Sequence, residues 1–94
     1  MARTIVWTKR ANSKFNHVIA YLEKDWGENV AKNFVIRTYS IIELLSKQPL
    51  LGSLENQEIR GFLITKHNRL FYRFTDNEFV DLNIFDSISK RNRV

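Results

Sequence analysis

The apolar residues of this chain follow a helical period before Pro49 and a strand period from Ile59 onward, and this one switch excludes most folds. Ala11, Phe15, Val18 and Leu22 recur at spacings of 4, 3 and 4, with Ile19 beside them, which is one face of an α-helix. Ala31, Phe34, Val35, Thr38, Ile41, Ile42 and Leu45 form a second stripe of the same kind. Thr8 stands where a helix N-cap belongs, and Gly27 interrupts the pattern between the stripes. The predicted helices therefore run from Lys9 to about Trp26 and from about Glu28 to Lys47. Glu28 suits the positive end of the second helix and Lys47 its negative end, and Pro49 stops it. A link this tight makes the pair an antiparallel hairpin.

Thr4 to Trp7 is a short β-prone run, and residues 50–57 read as a loop. Beyond it, Ile59 to Thr65, Arg69 to Thr75 and Phe79 to Phe85 are rich in β-branched and aromatic residues. Turn signals at Lys66-His67-Asn68 and Asp76-Asn77-Glu78 separate them. The expected order is β-α-α-β-β-β, an α+β two-layer fold with the helical hairpin packed on one face of an antiparallel sheet. In the middle strand, Leu70, Tyr72 and Phe74 are expected to meet the helices, leaving Arg69, Phe71 and Arg73 on the open face. In the last strand, Val80, Leu82 and Ile84 read as core and Asp81 and Asn83 as open face. That agreement needs a three-residue loop that pairs Arg73 with Asp81, because a one-residue slip flips every side chain. Arg69 then lies opposite Phe85 with no acidic neighbour, and is expected to matter more to activity than Arg73.

With 94 residues, the chain is expected to form one domain. It has no cysteine, so a disulfide scaffold and a thiolate metal site are excluded. No apolar run approaches the roughly 20 residues needed to span a bilayer, and residues 1–8 are too short and polar for a secretory signal. A soluble cytoplasmic protein without membrane attachment is the expectation. Phosphate-loop, dinucleotide and zinc-protease motifs are all absent. With His17 and His67 as the two histidines, no metal or other cofactor is expected. His17 falls near the first helical stripe and reads as a half-buried structural residue.

The net charge is +5, which fits either an ordinary basic surface or a polyanionic partner. Three of the charges fall in Lys90-Arg91-Asn92-Arg93-Val94. Arg60, Arg69 and Arg73 are expected on neighbouring strands of the open face. Phe62, Phe71 and Phe85 would lie among them, with Lys66 and His67 on the adjoining turn. Arginine forks match phosphate or carboxylate oxygens, and aromatic rings stack bases. Such a face fits nucleic-acid binding, but it equally fits exposed charge with a protein partner over the rings.

These features together resemble the RelE/ParE family of toxins from bacterial toxin–antitoxin systems. Ile5-Val6-Trp7-Thr8 followed by Ala11 resembles the family's opening strand and helix. Tyr21-Leu22, Trp26-Gly27, Ala31 and Phe34 resemble its helical hairpin, and Pro49 and Gly52 recur in the loop that follows. The fullest match is Ile59-Arg60, then His67-Asn68-Arg69-Leu70-Phe71-Tyr72-Arg73-Phe74, closing with Leu82-Asn83-Ile84-Phe85-Asp86.

The resemblance implies two activities, and an inactive relative is a third reading beside them. ParE-like members poison DNA gyrase, RelE-like members cut messenger RNA on the ribosome, and an inactive relative would only form a complex with its antitoxin. All imply a cognate antitoxin and a hetero-oligomer with it. For a ribonuclease the resemblance carries Arg60 and Arg69 over as catalytic positions, with His67 as the candidate for proton transfer. Arg60, Lys66, Arg69, Arg73, Lys90 and Arg91 are the candidate target-binding residues. The nuclease pattern is incomplete. Phe62 replaces a second basic residue, Ser87-Ile88-Ser89 stands where an arginine is usual, and a terminal tyrosine is missing. The expectation is a ParE-like, gyrase-directed growth inhibitor.

Overall fold

The computed structural model describes residues 3–87. In chain order the elements are β1 (Thr4–Trp7), α1 (Lys9–Trp26), α2 (Glu28–Lys47), a 3-10 turn (Pro49–Leu51), β2 (Ser53–Asn56), β3 (Ile59–Thr65), β4 (Asn68–Phe74) and β5 (Glu78–Asp86). The helix boundaries match the expected ones, and the caps explain why. The Thr8 hydroxyl accepts the Ala11 N–H at 3.1 Å, closing the first turn of α1. The same hydroxyl donates to the Asp81 carbonyl at 2.9 Å, so this cap also fastens α1 to β5. Gly27 is the whole link between the helices, and its φ of 100° is a conformation that side chains strain against.

The sheet order is β1-β5-β4-β3-β2. β3, β4 and β5 form the expected antiparallel meander. β1 joins it in parallel, pairing Thr4 with Glu78 through Trp7 with Asp81, so the sheet is mixed. The helices pack on one face over Phe15, Val18, Phe34, Leu45, Ile64, Leu70, Tyr72, Phe79 and Ile84. The segment read as a loop carries the 3-10 turn and β2, an edge strand on β3. All four residues of β2 are exposed, so no buried alternation marks it in the sequence. His17, expected half-buried, is exposed.

The expected register holds for half of the β4–β5 pair and then fails. Arg69 pairs with Phe85, Leu70 with Ile84 and Phe71 with Asn83, but Tyr72 pairs with Asp81 and Arg73 with Val80. The turn is tighter than expected, because Thr75 N–H donates to the Glu78 carbonyl at 2.9 Å and only Asp76 and Asn77 lie between. A bulge at Leu82 absorbs the resulting one-residue slip. Asp81 consequently sits opposite Tyr72 on the core side and is fully buried, not on the open face beside Arg73. Leu82, expected in the core, is half-buried and lines a cavity with Arg73. On β3, Arg60 pairs with Tyr72 and Phe62 with Leu70, which places both on the helix side. Gly61 and Leu63, not Arg60 and Phe62 as expected, take the open-face positions, opposite Phe71 and Arg69.

Candidate functional site

On the open face the central feature is Arg69. Its guanidinium crosses β3 and donates to Ser53 Oγ at 2.8 Å and to the Glu55 carboxylate, with which it forms an ion pair. Ser53 Oγ in turn donates to Glu55 Oε2 at 2.8 Å, closing a three-residue ring. The crossing is possible because residue 61 is glycine. A Cβ there would stand 2.7 Å from Arg69 Nε and 2.8 Å from Glu55 Oε2. Glu55 is the extra residue of a bulge between Leu54 and Asn56, and bulges re-aim side chains in this way. The Arg69 and Ser53 hydrogen bonds hold the Glu55 carboxyl below its ordinary pKa. The pair is 30 and 33% exposed, so solvent screens it.

Arg73 behaves differently. It is exposed, and among the described residues it has no hydrogen-bond or ion-pair partner. It lines a cavity of about 250 Å³ with Leu82, Ile59 and the Asn56-Gln57-Glu58 turn. The expectation for the two arginines is thus inverted, since Arg69 has the carboxylate and Arg73 has none. Phe71 and Phe85 stand on the same face, opposite Gly61 and Arg69 respectively.

The remaining candidates lie elsewhere. Arg60 Nη1 donates to the Gly52 carbonyl at 2.8 Å, a structural tie next to Tyr72. Lys66 and His67 line a cleft of about 480 Å³ between the helical hairpin and the β3–β4 turn, walled by Tyr21, Leu22, Trp26, Val30 and Phe34. Arg37 is at the same cleft, with its Nε donating to the Ile64 carbonyl. The three catalytic candidates are therefore not brought together. Arg60 and His67 are on the helix side, and Arg69 is on the open face. Lys90 and Arg91 lie outside the described residues. Among the described residues no group of three His, Cys, Asp or Glu side chains is placed to hold a metal. No described helix is long and apolar enough to cross a membrane.

Glu55, Ser53, Arg37 and the buried Asp81 were not anticipated. A glycine inside a strand is a signal for close approach by another group, and Gly61 could have pointed to the Arg69 crossing.

Residues 5–85 match the profile of a family described as the ParE toxin of type II toxin-antitoxin system, parDE. No curated protein sequence matches the chain significantly. A chain of the chromosomal ParDE system from P. aeruginosa has a similar fold, with a TM-score of 0.75 and 16% identity, covering 90% of this chain and 96% of that one. A chain of the YoeB dimer from Staphylococcus aureus is also similar, with a TM-score of 0.66 and 14% identity over 90% of this chain and 97% of that one.

Proposed function

The chain belongs to the ParE toxin family of type II toxin–antitoxin systems, and from that premise we propose that it arrests growth in the cytoplasm by binding DNA gyrase, without cutting RNA. The observation that supports this is the separation of Arg60, His67 and Arg69. Cleavage of RNA through its 2′-hydroxyl needs proton transfer and anion stabilisation at one phosphate. Here the open face offers arginines, which do not deprotonate near neutral pH, and the Glu55 carboxylate is already paired with Arg69. Expression of the chain should trap gyrase–DNA complexes and leave RNA 5′ ends unchanged, with or without translating ribosomes. RNA cleavage on ribosomes without trapped gyrase would replace this reading with ribosome-dependent ribonuclease action.

In the same reading, an antitoxin neutralises the toxin in a hetero-oligomer. The cleft beside α2 suits it: apolar walls would take an aliphatic or aromatic anchor, and Arg37, Lys66 and His67 would take acidic flanks. Target binding is assigned to Arg73, the open-face arginine that has no partner among the described residues. Arg73→Ala is expected to weaken growth arrest several-fold more than Arg69→Ala at matched expression, because Arg69 is occupied by Glu55. Equal loss in the two variants would remove Arg73 from the target interface.

A further inference from the structure

The open face combines the parts of a single-stranded nucleic-acid platform with an acid that blocks it. Arg69 and Arg73 alternate with Phe71 along β4, and Phe85 stands opposite Arg69 on β5. Leu63, exposed, flanks Arg69 from β3. Cations that track a backbone, interleaved with rings on which bases stack, are the ingredients of sequence-tolerant binding. Yet the guanidinium opposite Phe85 already donates from Nη2 to Ser53 and Glu55. An arginine guanidinium donates to a carboxylate or a phosphate in the same planar geometry, but not to both from the same N–H groups.

We propose that Glu55 is an internal phosphate mimic, which engages Nη2 of Arg69 and so competes with nucleic acid for this face. Two features of the backbone and one side chain serve the contact. The bulge at Glu55 turns its carboxylate toward Arg69. Gly61 leaves the space through which the guanidinium crosses β3. Ser53 bonds both partners and fixes their separation. β2 is thus a built-in competitor laid along the edge of the sheet, and the neighbouring charge left for an external partner is Arg73. The inference does not depend on gyrase being the target, since it concerns which polyanions the face rejects.

The test is binding of a short fluorescein-labelled single-stranded RNA to the full chain, followed by anisotropy. Glu55→Gln is expected to raise affinity on the order of tenfold near ~50 mM salt, by removing the charge that competes for Arg69 and repels phosphate. The salt dependence of log K should steepen by about 0.7, the value for one added phosphate contact on a single strand. Adding Arg69→Ala to Glu55→Gln should return both quantities to the parent's values. Glu23→Gln, on the exposed side of α1, makes the same change in net charge and should leave binding unchanged. Glu55→Ala serves as a second variant, because β2 is exposed and the truncation empties no core.

Several results would overturn the proposal. They are parent-like binding by both Glu55 variants, an equal gain from Glu23→Gln, and a gain that survives Arg69→Ala. A gain toward an acidic peptide with none toward RNA would do so too, assigning the fork to a protein partner.

Discussion

At pH 8 the Asp81→Asn variant is expected to be more stable than the parent by about 4 kcal/mol, whereas at pH 4 the two should be nearly equal. Asp81 is fully buried and neither of its carboxylate oxygens has a hydrogen-bond partner. It faces Tyr72 on one side and pairs with Trp7 on the other, and neither can balance a negative charge. Burial alone pushes its carboxyl up to about 7. The unfolded chain ionises near pH 3.8, so between pH 4 and pH 7 it releases a proton that the folded chain retains. Stability therefore falls as pH rises through that window, by ~1.4 kcal/mol per unit, and levels off above it. Glu55 acts in the opposite sense, because its lowered pKa makes its contribution disappear on acidification. Subtracting variant from parent cancels that contribution. Denaturation in urea across pH 4 to 8 measures the difference, and a pH-independent gap would refute a buried, titrating Asp81.

Tyr72→Ala is expected to cost about 3–5 kcal/mol, a large part of the ~5–15 kcal/mol that a domain of this kind has in total. The ring is fully buried and stacks on Phe79 with centroids 4.8 Å apart. Its hydroxyl donates to the Pro49 carbonyl at 2.6 Å and accepts the Gly52 N–H at 3.0 Å. Gly52 has no side chain because a Cβ there would collide with that hydroxyl. Tyr72→Phe keeps the stack but strands two buried backbone groups, and should cost roughly 1–3 kcal/mol. In the Phe variant the loss should be local. Amide exchange at Gly52 and through β2 should accelerate more than at Leu70 or Ile84. Uniform acceleration, or a Phe variant as stable as the parent, would contradict an anchoring role for the hydroxyl. The contact joins core to surface, since the segment that Tyr72 holds carries Ser53 and Glu55.

The helices were legible from sequence because Thr8, Gly27 and Pro49 punctuate them and their apolar stripes are continuous. The meander was legible for the same reason, and so was the open-face position of Arg69 and Arg73. What escaped depends on single extra residues. The bulge at Leu82 conserves alternation on both sides of itself, so nothing in a period-two pattern marks where the slip occurs. Asp81 between Val80 and Leu82 reads as solvent-facing, because a carboxylate is seldom buried unpaired. The register shift between Leu63 and Thr65 likewise fixes the parity that takes Arg60 and Phe62 to the helix side. The Arg69–Glu55 pair escaped because it spans an intervening strand and a segment without a buried residue to announce it.

The parallel pairing of β1 with β5 bears on how the protein is made. A ribosome delivers β1 first, but its one neighbour in the sheet begins at Glu78 and the tie from the Thr8 cap reaches Asp81. Contacts so distant in sequence form late, after the loop-closure entropy of the intervening chain has been met. A translation product that stops before Glu78 has a first strand with no strand to pair with and a first helix unattached to the sheet. Such fragments leave exposed apolar surface that the complete fold buries, the usual condition for aggregation and proteolysis. The fold thereby ties the complete sheet, and every surface built on it, to completed synthesis: β1 finds its strand partner only when β5 has emerged.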